Sequence, residues 1–522
     1  MGGREPGRLA SLAAGGLIDR SRSTQGAALG GPPLAFGGAD MSEHVRMWIG
    51  GEWVDAEGGA TFDATSPSTG EVIAAVAEGS RADARRAIGA ATAAAPAWAR
   101  SSAFDRAAAM RRVAASIDRR RDLLADTLAR DQGKPKRAEA YDEVEELIAY
   151  FEMAAADATR AEGLLPPSVD ANKRVLVERV PRGVVSIISP WNWPYTMPGE
   201  ILAPAIAYGN AVIWAPAPTT SVCAARFAEC LEYADLPPGV VNMVTGPGPV
   251  VGDEIAVDPG TQAVGFIGSI ATGHTVAARA AGKELLLEMG GNGPLVVMED
   301  ADLDKAVAGT LVACFLNAGQ SCTAGERILV HEDVRDAYLG LLTAAIEREI
   351  HLGDPFDDAT TMGPVNNEPT AAKTERQVSD AVERGAVLVT GGKRAPHHGS
   401  DLFFEPTVLD GVTDDMAIAR EETFGPVAPV TAIRTEQEAI DLVNGSEYGL
   451  LSAIFTSDLR RGLRFAEAVR TGWVNVNEGT NYWESHLPFG GGAGSRSGVG
   501  RVGGRFSMDR LTELKTIVVD LG

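Results

Sequence analysis

"VLVERVPRGVVSIIS", residues 175–189, is the stretch that decides the fold class. Two runs rich in β-branched residues flank Pro181, Arg182 and Gly183. Such residues favour strands, and the Pro and Gly between them punctuate the run. The second run ends at "PWNWP" (190–194). Beyond it the pattern predicts a helix near 197–208, a strand at "NAVIWAP" (210–216), a helix near 219–233 and a strand at "VVNMVTG" (240–246). "AVGFIGS" (263–269) and "KELLLEMGG" (283–291) continue the series. Strands that alternate with helices form a parallel α/β sheet.

A second series begins after Gly291: "GPLVVMED", a helix over 303–317, "RILVHE", and a helix over 333–349. The chain then runs through a turn-rich middle to "VNVNEGT" and the glycine-rich "PFGGGAGSRSGVGRVGG" (488–504). It closes on "LTELKTIVVDL" (511–521), a strand far in sequence from any partner. Such an edge needs another to pair with, and a second subunit is one source. Upstream, "MWIGGEWVDA" (47–56) reads as short strands around a tight turn. Residues 81–100 and 104–131 read as amphipathic helices with apolar spacings of three and four. "GKP" (133–135) breaks that pattern before a helix over about 139–158. Residues 1–40, rich in Gly, Ala, Ser and Arg, read as a disordered extension, with Met41 as a natural start.

A chain of 522 residues predicts about three domains. The net charge of −23 argues against a nucleic-acid partner, which needs a basic face. No apolar run reaches the roughly 18 residues that a membrane span requires. The four cysteines are too few for a disulfide framework. Cys223, Cys230 and Cys314 fall in apolar patterns and read as core packing. A reducing compartment, the cytoplasm, fits this usage. No CxxC pair and no His/Cys spacing suggests a metal site.

The fourth cysteine differs. Cys322 lies in "NAGQSCTAGER" (317–327), where small neighbours leave room for a substrate carbon beside sulfur. It reads as a nucleophile whose own N–H faces a developing oxyanion. Glu288, after three leucines and before two glycines, reads either as an edge residue facing water or as a base of raised pKa. Asn192 in "PWNWP" is either a turn former or an oxyanion donor. Gly268 and Gly273 follow a strand and open a helix, where backbone amides welcome phosphate.

Taken in order, "PWNWP", "FIGS", "LEMGGN", "FLNAGQSC", "EETFGPV" (421–427), "SEYGL" (446–450) and "PFGG" (488–491) resemble the aldehyde dehydrogenase superfamily. The resemblance covers about residues 47–521, and the 34-residue step from Glu288 to Cys322 matches the family spacing. It implies two Rossmann-like α/β domains and a small β flap for oligomerisation. Residues 41–160 and 182–290 would form the cofactor-binding domain and 291–492 the catalytic domain. Residues 161–181 and 505–522 would supply the oligomerisation strands of a homodimer or homotetramer. The implied reaction is oxidation of a small-molecule aldehyde to an acid with NAD, NADP being the alternative. Cys322 would form a thiohemiacetal and then a thioester, Asn192 would hold the oxyanion, and Glu288 would activate water. Ile188, Trp191, Gly268, Ser269, Gly273, Glu422 and Phe424 would meet the cofactor. Met197, Trp483 and Phe489 would wall the substrate tunnel.

Three departures stand out. Where the family commonly has a Lys and a Glu that reach the adenosine ribose, this chain has Ala215 and Pro218. The loop after "PFGG" carries small residues and a two-residue insertion. Glu200, where many relatives carry an aromatic, is expected to place a negative charge at the tunnel mouth and disfavour a substrate with a distal carboxylate. Alternatives are a CoA-acylating enzyme, a silent binding protein of the same fold, and a thiol esterase.

Overall fold

The computed structural model describes residues 44–522, so the extension read at 1–40 and Met41 lie outside the described residues. Val184–Ile188, the second half of the deciding stretch, is a central strand. Its side chains alternate between two clusters: Val185 and Ile187 join Val212 and Trp214 on one face, while Val184 joins Ala211 and Ile213 on the other. Both faces are apolar because helices cover both, as a parallel sheet demands.

Eight strands make this first sheet. Across it run Gly498–Val499, Glu284–Met289, Ala263–Gly268, Val184–Ile188, Ala211–Ala215, Val241–Met243, Met47–Ile49 and Glu52–Val54. The five strands from Glu284–Met289 to Val241–Met243 are parallel. The outer ones are antiparallel. The second sheet has seven strands, parallel except for its edge pair Val387–Thr390 and Thr407–Asp410.

The covering helices follow the apolar spacing. Arg81–Arg100 starts where the pattern does, with Ser80 and Asp83 forming a capping box. The single helix expected over 104–131 is two, Ala103–Arg119 and Arg121–Asp131. Arg120 leaves the helical region (φ −113°, ψ 14°). Its guanidinium sits 3.7 Å from the centre of the Tyr233 ring and donates to Ser116 Oγ. Those distant contacts override a local pattern that reads straight through.

The two sheets are joined by three residues, Gly290, Gly291 and Asn292, between Glu284–Met289 and Gly293–Val297. The carboxyl ends of the first sheet therefore face the amino ends of the second. Ligands of α/β sheets bind at carboxyl ends of strands, so this seam is where a site belongs.

The closing strand, Thr512–Asp520, finds its edge within its own chain. It pairs antiparallel with Lys173–Pro181 over the full length of both, from Thr512 opposite Pro181 to Asp520 opposite Lys173. Its partner need not come from a second subunit. The ribbon leaves Leu514, Val518 and Val519 exposed. Among the described residues, no helix is long and apolar enough to cross a membrane.

Candidate active site

Cys322 reaches the seam through an unusual reversal. Helix Leu303–Phe315 ends, and Asn317, Ala318 and Gly319 all adopt left-handed backbone (φ 51°, 53° and 74°). Such conformations are costly for residues with a Cβ. Gly319 has no alternative: a Cβ there would lie 2.2 Å from the Gly425 carbonyl oxygen. The strain is held by a closed set of hydrogen bonds. The Asn317 N–H donates to Glu139 Oε1 (3.0 Å), and its side-chain amide donates to the Asn192 carbonyl (2.8 Å). Gln132 Nε2 donates to Asn317 Oδ1, and Gln320 Nε2 to the Asn317 carbonyl.

The same network fixes Asn192. Its Nδ2 donates to the Gln320 carbonyl at 3.1 Å, two residues before Cys322. That bond uses one of the two amide protons. The Cys322 N–H donates to no acceptor among the described residues. The turn around Asn192 is pinned from beneath by a fully buried ion pair, Lys134 Nζ to Glu143 Oε2 at 2.5 Å. Lys134 also lies 3.2 Å from the centre of the Trp193 ring, while Glu143 Oε1 accepts the Tyr195 N–H at 2.9 Å. Lys134→Met strands a buried carboxylate beneath this turn. The expected cost is about 3–5 kcal/mol, read as a lower melting temperature.

Glu288 ends its strand in the same place. The carboxyl is 3% exposed and lies against the Cys322 thiol, yet neither oxygen completes a hydrogen bond. Burial pushes it up to about 8, with the thiol pulling the other way. The thiol in turn is raised well above its ordinary value by burial and by Glu288, Glu422 and Glu200. It is half-buried, while the other three cysteines are buried in the core. The glycines of "LEMGGN" make this approach feasible. A Cβ on Gly291 would meet the Cys322 carbonyl oxygen at 2.6 Å, and one on Gly290 would overlap Glu422.

Glu422 and Phe424 arrive from the segment before strand Val427–Ile433. Glu326 holds that segment by accepting the Thr423 and Phe424 N–H groups at 2.7 and 2.6 Å. Phe424 meets Trp191 edge to face at 5.5 Å. Glu422 Oε1 is buried without a partner. Burial lifts its carboxyl to about 7, against the pull of Lys373. Ile188 and Gly268 end neighbouring strands, and Ser269 caps helix Ile270–Arg279. Gly273 does otherwise than expected. Its N–H already donates to the Ser269 carbonyl, so it offers nothing to a phosphate. Its hydrogen instead lets the helix seat on Met289, whose sulfur a Cβ would overlap.

Met197 and Phe489 belong to one apolar cluster, with Trp483 and Cys322 packed against it. Glu200 is not at a tunnel mouth. It is 2% exposed, and burial together with Glu288 raises its carboxyl to about 8. It is therefore mostly uncharged at neutral pH, because its helix turns it inward. Sequence reasoning missed Gln132, Lys134, Glu139, Glu143, Asn317, Gln320 and Glu326, the groups that hold the site from behind. The "GKP" and "AEAYDE" segments carried no local sign that they would pack beneath Asn192 and Cys322.

The model of the aldehyde dehydrogenase family matches residues 53–517. The chain is 39% identical to the mitochondrial succinate-semialdehyde dehydrogenase of Arabidopsis thaliana, over 90% of this chain and 88% of that protein. Among solved structures, an NADP-dependent enzyme of E. coli superposes with a TM-score of 0.89 at 36% identity, covering 92% of this chain and 98% of that one. An NAD-dependent aldehyde dehydrogenase from Sinorhizobium meliloti superposes with a TM-score of 0.88 at 37% identity, covering 92% and 95%. The seam between two α/β sheets, the thiol against a buried carboxyl and this likeness along the whole described chain agree. The protein belongs to the aldehyde dehydrogenase family, oxidoreductases that act on aldehyde groups.

Proposed function

We propose that the chain oxidises an aldehyde to a free carboxylic acid through a thioester on Cys322, hydrolysed by water that Glu288 activates. The observation that carries this reading is the contact between the Cys322 thiol and the buried Glu288 carboxyl. The reaction consumes aldehyde, water and oxidised nicotinamide dinucleotide and yields acid, reduced dinucleotide and a proton; the dinucleotide, when bound, supplies the hydride acceptor.

The residues at the seam suit such a cofactor. Ile188 and Gly268 end neighbouring strands, Ser269 caps the helix that follows, and Glu422 Oε1 is buried without a partner. NAD is our choice over NADP. Strand Ala211–Ala215 ends without a basic side chain, and a short turn starts at Pro218, so nothing there greets a 2′-phosphate.

The chain's own groups do the rest. The resting thiol is protonated, so it must lose its proton, and Glu288 is the base in contact with it. Sulfur then bonds to the carbonyl carbon. The second Asn192 amide proton and the Cys322 N–H receive the oxygen anion. Once that carbon has lost its hydride, a thioester remains. Glu288 releases the thiol's proton to solvent and then takes one from water; the water oxygen adds to the carbonyl, the C–S bond breaks, and Glu288 returns that proton to the Cys322 sulfur. Formation of reduced dinucleotide from a simple aldehyde, without CoA, tests the reading; a requirement for CoA contradicts it.

Glu288 acts as its carboxylate. Burial raises its pKa to about 8, so the active fraction grows as pH rises. Turnover should climb about tenfold per unit below that value and level off above it. A flat profile between about pH 6 and 9 would remove Glu288 from the base role.

We also infer a homodimer or homotetramer built on the Lys173–Pro181 and Thr512–Asp520 ribbon, whose outer edge and exposed Leu514 and Val518 invite a further strand. Light scattering should give two or four times the 54.6 kDa chain mass; the mass of a single chain would refute it. Four unpaired cysteines suit a cytoplasmic enzyme.

A further inference from the structure

The mechanism leaves one buried carboxyl beside the reacting groups without a task. Glu200 lies on helix Thr196–Ala207, which starts just beyond the Asn192 turn. Its Oε1 has no hydrogen-bond partner, and the Tyr150 hydroxyl lies against the carboxyl. Both Glu288 oxygens lack a hydrogen-bond partner as well. Burying unpaired polar atoms is costly. Glu200 Oε1, close to a half-buried cysteine, marks a place that a ligand's donor completes.

The surroundings say which donors. Glu200 feels Glu288, and Glu146, on the helix that carries Tyr150, feels Glu200. No Lys, Arg or His acts on either Glu200 or Glu288. Lys134, a buried cation that acts on Glu146, is committed to Glu143. Tyr150 meets Trp483 at 6.3 Å, and Trp483 meets Phe489 at 5.8 Å, a continuous aromatic wall. Carboxyl groups that an arriving cation can ionise and aromatic faces together recognise a cation.

We propose that the substrate is an aldehyde whose chain carries an ammonium group, held by Glu200 and the Tyr150 hydroxyl along the Trp483–Phe489 wall. The inference rests on the aldehyde-oxidising reading above and names its substrate class. It departs from the Arabidopsis relative, which is named for succinate semialdehyde. The far carboxylate of that substrate would meet Glu200 and Glu288, on which no Lys, Arg or His acts. Glu200 itself is mostly neutral in the empty site. An arriving ammonium stabilises its carboxylate, and the released proton goes to water.

The test compares kcat/KM with NAD for three probes: 3-aminopropanal, its neutral isostere butanal, and succinate semialdehyde. 3-Aminopropanal should exceed butanal by about tenfold or more, the range of a hydrogen-bonded charge, and succinate semialdehyde should be slowest. Glu200→Gln should bring the ratio of 3-aminopropanal to butanal towards one. A measurement on the unaltered protein guards against a variant that fails to fold. Propylammonium should slow alkylation of Cys322 by iodoacetamide, and propionate should not. Turnover of butanal with no advantage for 3-aminopropanal overturns this inference alone, as does a preference for succinate semialdehyde or protection by propionate. Failure of all three aldehydes overturns the reaction on which it rests, and the inference with it.

Discussion

Cys322→Ala eliminates aldehyde-dependent formation of reduced cofactor, with a fall of about 10⁴-fold or more. An aldehyde is a poor hydride donor until a nucleophile has added to its carbon. Cys322 is the one cysteine the fold leaves partly open; Cys223, Cys230 and Cys314 are at most 1% exposed. None of those three can take over. The loop that presents Cys322 is held by Asn317, Gln320 and Asn192 rather than by the thiol, so the variant should fold and melt like the parent. Retained oxidation in a folded Cys322→Ala protein would refute sulfur as the nucleophile.

Glu288→Gln has the second-largest effect, and its signature is temporal. An amide cannot accept a proton from water, so the thioester should form and then persist. Rapid mixing with aldehyde and NAD should show reduced cofactor appear once, up to one equivalent per site, and then nearly stop. Steady turnover should fall by about 10²–10⁴-fold. Steady turnover at the parent rate would contradict the assignment. Because Glu288 also contacts the thiol, a smaller slowing of the burst itself should accompany the stall.

The central sheet is legible in the sequence because its parallel strands are short apolar runs, several of them β-branched, set among helices. Val184–Ile188, Ala211–Ala215 and Ala263–Gly268 lie within the runs that marked them. The contacts that determine the site were not legible, because they join distant segments. Gly498–Val499 pairs with the strand carrying Glu288, with Gly498 opposite Glu288 itself, and nothing in a glycine-rich stretch announces a two-residue strand. Thr512–Asp520 had the composition of a strand but gave no sign that Lys173–Pro181 would receive it. Glu200 stands out in the sequence as a departure, but residue type does not say which way a helix faces, and this one turns it inward. The Lys134–Glu143 pair was invisible: both belong to ordinary polar text, and only packing brings them together beneath Trp193 and Tyr195.

The departures at Ala215 and Pro218 have a structural counterpart. Ala215 is 6% exposed at the end of its strand, opposite Ile188 in register. A short apolar side chain there offers no hydrogen bond to a ligand at this strand end. On the proposed reading, cofactor binding depends more on the Ser269 helix end and on Glu422, whose Oε1 has no partner.

Mass spectrometry of Glu288→Gln protein quenched after mixing with butanal and NAD reads the covalent step directly. The account predicts one added acyl group per chain, on the peptide containing Cys322, present only when both reagents are supplied. Full reduction of one equivalent of cofactor with an unmodified Cys322, or with the acyl group on another residue, would contradict it.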